Sequence, residues 1–155
     1  MSNYKTHNSF NILFLLPLAA VGVYLYMKPS NMQLIVFVSV FLYATFFMSP
    51  DMDIANKIKW FSLRGLFSIP FKSYALLFKH RGISHNILFG TLTRILWLFG
   101  FCAIILFFCD VFFLASAKAK VFYKMYKIEL FYAFLAVFLA DIGHIFLDRI
   151  KKRIK

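Results

Sequence analysis

Four apolar runs, each long enough to cross a bilayer, constrain this chain more than any other feature. They occupy residues 10–27, 32–48, 87–114 and 128–147. A spanning helix needs about 20 mostly apolar residues, within a range of roughly 17–25. Each run meets that length, and the third has enough to tilt or to begin at the interface. Composition agrees. Of the 155 residues 62% are hydrophobic and 15% charged, where a soluble domain is about half apolar and a quarter charged. Mean hydropathy is +0.76. The expected fold is all-α, a single integral-membrane four-helix bundle over residues 1–155.

The first run resembles a signal peptide only superficially. Its positive flank is Lys5 alone and "MKPS" is a poor cleavage site, so it is read as a retained helix. The short "KPSN" link makes runs one and two an antiparallel hairpin, with Pro29 helping to close the first helix. Residues 49–86 are too polar to span. Lys and Arg alternate there with Trp60 and several Phe, which reads as a basic amphipathic segment in the headgroup plane, broken by Gly65 and Pro70. A plain solvated loop is the competing reading. The connector 115–127 carries four lysines. Cys102 and Cys109 fall in the third run, too far apart along one helix to bridge, and are expected as packed free thiols.

Net charge is +12. The basic residues cluster between the oily runs, which favours anionic headgroups and membrane lipids as partners over nucleic acid. With an even number of spans, both termini share a side with the 49–86 segment. Lys5, six basic residues of that segment and the "DRIKKRIK" tail then stand against Lys28 and the four lysines of 118–127. This bias places both termini and the 49–86 segment in the cytoplasm.

The metal-binding and proton-moving side chains follow the same geometry. His7 precedes the first helix, Asp51 and Asp53 follow the second, and His80 and His85 precede the third. Asp141, His144 and Asp148 end the fourth. Two hairpins therefore fold all eight toward one face, and of the six acids Asp110 and Glu129 alone lie toward the other. Asp141, His144 and Asp148 stand at i, i+3 and i+7, one stripe of a helix. Acids inside a membrane helix need a partner or a wet cavity. Pairing of Asp141 and Asp148 with nearby Lys or Arg is the alternative to ligation. Gly143 beside His144 would let a neighbouring helix approach closely. Imidazole and carboxylate together suit zinc first, then manganese or iron. Arg81 would hold an anionic group such as phosphate, or else reach for headgroups. Neither a phosphate-binding glycine loop nor a serine-hydrolase elbow is present.

The motifs "THNSFNILFLLP", "SPDMD", "HRGISHNILFGTLTR" and "DIGHIFLD", in that order, resemble a family of uncharacterised, predicted metal-binding membrane proteins. That family is similar in turn to the YdjM-like predicted membrane-bound metal-dependent hydrolases. The resemblance implies one to three divalent ions held by His7, Asp51, Asp53, His80, His85, His144 and Asp148, with Asp141 a ligand or an orienting neighbour. Asn8 stands where the family often has an acid. The ligand pattern is also loosely similar to that of the helical multi-zinc phospholipases C and single-strand nucleases. The function expected from residues and resemblance together is a metal-dependent hydrolase at the cytoplasmic membrane face. Asp53, His85 and Arg81 would act on a phosphoester or lipid-linked substrate. The rivals are a metal that only staples the helices, and a transporter, which helices one and two disfavour by carrying almost no polar residue through the midplane.

Overall fold

The computed structural model describes residues 4–50, 61–77, 86–109 and 112–153, which are helical or lie in short turns with no strand among them. The first rod comprises α1 (Tyr4–Phe10), a π-helical turn over Asn11–Leu15 and α2 (Leu16–Met27). Pro17 follows directly, and a proline has no N–H to donate back into the helix. The Leu16 N–H instead reaches five residues back to the Asn11 carbonyl, so one wide turn absorbs the fault. The rod closes at Lys28, whose φ of 48° is left-handed. Helix α3 (Asn31–Phe47) then starts on a reciprocal cap. The Gln33 N–H donates to Ser30 Oγ at 3.3 Å, and the Ser30 N–H donates to Gln33 Oε1 at 2.9 Å.

Helix α3 is the centre of the molecule and packs most extensively on α7 (Phe112–Arg153). Phe37, Phe41 and Ala44 are fully buried there, as is Ala136, with Ala140 nearly so. Lipid is as apolar as Leu, so van der Waals fit rather than water exclusion holds such helices together, and small residues four apart permit that fit. Large apolar side chains point outward instead, Leu18, Leu96 and Phe99 among them. Among the described residues, three helical stretches are long and apolar enough to cross a membrane: Lys5–Met27, Ile87–Phe108 and Ala117–Ile150. At 17 residues α3 is shorter.

Within the 49–86 segment the described part forms α4 (Leu63–Phe67) and α5 (Ile69–Leu77). Two short pieces were expected, but the break comes at Ser68, with Gly65 inside α4 and Pro70 in the first turn of α5. The Ser68 hydroxyl donates to the Gly65 carbonyl at 3.1 Å. Helix α5 docks on α6 (Ile87–Phe108). Tyr74 and Thr93 share a hydroxyl hydrogen bond of 3.2 Å, and Trp97 Nε1 donates to the Pro70 carbonyl at 2.9 Å.

The Asn86 side chain caps α6, accepting from the Leu88 and Phe89 N–H groups at 3.1 Å each. Asn86→Ala is expected to cost about 1 kcal/mol, read as a lower unfolding midpoint in detergent. The helix closes at Phe108, short of the Leu114 expected from hydropathy. Cys102 and Cys109 are free but exposed rather than packed. The lysine-bearing connector is itself helical, being the first part of α7, which bends at Tyr126 (φ −116°, ψ 25°).

Candidate metal centre

The first and last helices meet at three side chains. His7 of α1 stacks on His144 of α7 with ring centroids 3.9 Å apart and planes inclined by 15°. His7 Nε2 lies 3.3 Å from Asp148 Oδ1. One potential ligand atom from each of the three residues falls within 4.8 Å of the others. Both histidines are buried, while about a quarter of the Asp148 side chain is exposed. The cluster therefore closes toward the bundle and opens on its carboxylate side.

Local sequence sets this up. His144 and Asp148 are four apart and share a face of α7, as His7 and Asn11 do on the first rod. Asn11 locks the two rods together. Its Nδ2 donates to the Ala140 carbonyl at 3.0 Å and lies 3.4 Å from Thr45 Oγ1 of α3. Gly143 leaves the necessary room, since a Cβ there would overlap Leu15 Cδ2 and Asn11 Oδ1. The close approach expected at Gly143 is the contact that brings His7 to His144.

These residues fit a divalent ion. At bond lengths of about 2.0–2.2 Å, two donors on one tetrahedral ion stand about 3.3–3.6 Å apart, so atoms that lie within 4.8 Å of one another must draw in by up to about an ångström or slightly more. An imidazole donates in its own plane, so a shared ion also requires the two stacked rings to fan open. Two imidazoles and a carboxylate suit zinc, iron or manganese and leave coordination positions for other groups.

Asp141, on the same stripe one turn before His144, has other partners. Its Oδ2 accepts from Arg94 Nη2 and from Thr91 Oγ1, both on α6. Arg94, Thr91 and Asp141 are all buried. Asp141 thus faces α6 while His144 and Asp148 face α1. It stands beside the His7–His144–Asp148 group in the manner of the ion-pair alternative. Arg94 is the residue that sequence reasoning passed over. A lone arginine inside an apolar run must find an internal partner, and that was the available signal.

Asp51, Asp53, His80, Arg81 and His85 lie outside the described residues. Their described neighbours reach the same end of the bundle. Thr45 meets Asn11 near the end of α3, and Ser49 and Pro50 just beyond it are buried. Thr91, in the first turns of α6, meets Asp141.

No curated protein and no solved structure matches the chain. One family model matches residues 3–155, a span that takes in His7, the 49–86 segment and the His144–Asp148 pair. A possible ion site built from both ends of that span accords with the family's description, and the chain belongs to the family described as uncharacterized metal-binding protein (DUF2227).

Proposed function

We propose that the chain is a membrane-embedded, metal-dependent hydrolase acting at the cytoplasmic face on a phosphoester, free or lipid-linked. The observation that carries this reading is the His7–His144–Asp148 cluster. It lies at the end of the bundle toward which the C-terminus of α3 and the N-terminus of α6 also point. The chain order Asp51, Asp53 and then His80, His85 attaches further ligands to those same two helix ends. The YdjM-like resemblance of "SPDMD" and "HRGISH" adds the hydrolase class. Four apolar helices then cross the bilayer, with both termini and the 49–86 segment on the inner side and that segment at headgroup level.

His7, His144 and Asp148 would hold one ion, while Asp51, Asp53, His80 and His85 would complete it or hold others. Bound divalent ions supply Lewis-acid chemistry, acidifying water and polarising a phosphoryl oxygen. Whichever of Asp53 and His85 is not bound to an ion would accept the one proton that the attacking water gives up as its oxygen bonds to phosphorus, and would pass it to the leaving ester oxygen. Arg81 pairs with the remaining anionic oxygens. Asp141, fixed by Arg94, orients the turn of α7 that carries His144.

One observation favours a second reading. The two buried histidines join the first helix to the last, which is where a purely structural staple would sit. Elemental analysis of purified wild type beside His144→Ala, His85→Ala and Asp53→Asn, followed by phosphomonoester and phosphodiester assays, separates the two. The hydrolase reading expects stoichiometric metal in wild type, its loss in all three variants, and turnover that follows metal content. The staple expects metal in wild type, no turnover, and a lower unfolding midpoint in His144→Ala. Full metal in His85→Ala and Asp53→Asn would remove those residues from the ion's surroundings.

A further inference from the structure

The first part of α7 is longer than a membrane helix requires. At 1.5 Å per residue α7 rises about 63 Å, about twice the ~30 Å hydrocarbon thickness of a bilayer. It bends at Tyr126, and residues 127–153 alone rise about 40 Å, enough for a span. Residues 117–125, before the bend, are not needed to reach across the hydrocarbon and pack little within the molecule. Every residue from Ala117 to Met125 is exposed.

That arm mixes lysines with apolar side chains. Lys120 and Lys124 stand at i and i+4 on one face, Val121 and Met125 lie about a third of a turn round from them, and Lys118 falls beside Met125. Between Phe112 and Ile128 there are four lysines and no acid. Like charges four apart destabilise a helix in water, so the arm is better served by an anionic counter-surface. Beside the bend an open concavity of about 490 Å³ is lined by Val121, Phe122, Met125 and Tyr126, with Lys118 on its wall. The rings of Phe122 and Tyr126 lie 4.8 Å apart beside it. An open apolar face with a cation beside it suits contact with acyl chains and a phosphate.

We infer that residues 112–126 form an interfacial arm that docks on anionic lipid, at the end of the bundle opposite the metal centre. The bend at Tyr126 turns the helix from the bilayer normal into the headgroup plane. The inference rests on the spanning placement of the apolar helices but not on hydrolase activity. Each lysine near an anionic surface strengthens partitioning by about fivefold, and salt screens that gain.

The test uses the full chain with Cys102→Ala, Cys109→Ala and Val121→Cys, carrying an environment-sensitive fluorophore at position 121. It is reconstituted into nanodiscs of phosphatidylcholine alone or with phosphatidylglycerol. A blue shift confined to the anionic discs is expected. It should disappear in high salt and in a variant with Lys118, Lys120, Lys124 and Lys127 all changed to Gln, whose metal content stays that of wild type. Water-like emission in both lipids overturns the inference, as does an equal blue shift in both. A shift that follows protein copies per disc rather than anionic lipid assigns the arm to a second copy of the chain and overturns it too. Failure of the spanning placement shows separately, because the chain would then be stripped from membranes by alkaline carbonate.

Discussion

Replacing Arg94 with methionine should be among the most damaging single changes in the molecule, while replacing Arg94 and Asp141 together should be much milder. The guanidinium and carboxylate are both buried, and they tie α6 to α7. Removing one partner of a buried pair leaves an uncompensated charge and typically costs about 3–5 kcal/mol. Thr91, whose single hydroxyl proton is shared between Asp141 and the Ile87 carbonyl 2.8 Å away, can soften the loss at Asp141 without replacing a cation. Arg94→Met with Asp141→Leu removes both charges and keeps apolar volume, a change that is often neutral or stabilising. Unfolding midpoints in detergent for the two singles and the double form a cycle. A large coupling is expected, with each single well below wild type and the double close to it. Wild-type stability in Arg94→Met would mean that the pair contributes nothing to packing α6 on α7. Because His144 follows Asp141 by one turn, metal retention in the double variant also reports whether the pair is needed to aim α7.

What the sequence disclosed and what it concealed divide along physical lines. The apolar helices were legible because crossing a bilayer demands a length of oily residues that can be counted directly. His144 and Asp148 were legible because helical spacing alone puts them on one stripe, and Gly143 because a missing Cβ marks a close approach. The pairing of Arg94 with Asp141 was not, since it depends on how α6 and α7 are rotated about their axes, and no single-helix pattern encodes that rotation. Asp141 shares a stripe with His144 yet meets a different helix. The wide turn at Asn11–Leu15 was hidden for a related reason: Pro17 announces a fault, but tertiary contact at Asn11 decides how the backbone absorbs it. The helical arm before Tyr126 was read as a connector because its four lysines interrupt the apolar runs on either side. Its Ala, Lys and Met residues are strong helix formers, and that propensity was the better guide. Of the ligands expected to converge, His7, His144 and Asp148 do so.

Gly143→Val should separate the first rod from α7 and empty the metal centre even though it touches no proposed ligand. The added side chain would enter space held by Leu15 and Asn11. Leu15 Cδ2 is the far end of a flexible, partly buried side chain and can give some way. Asn11 cannot, because it is buried and its Nδ2 is committed to the Ala140 carbonyl. Forced insertion into a packed site costs roughly 1–3 kcal/mol, and the lost hydrogen bond about 1 more. His7 lies one turn from Asn11, so any withdrawal of the rod carries the imidazole away from His144 and Asp148. Gly143→Ala should show the same effects in smaller measure. Pairing it with Asn11→Ala relieves half of the overlap, so the double variant should lose less than the sum of its singles. Elemental analysis and detergent unfolding of the four proteins test this. Full metal and wild-type stability in Gly143→Val would show that the two helices do not meet where Gly143 places them, and would remove His7 from the centre.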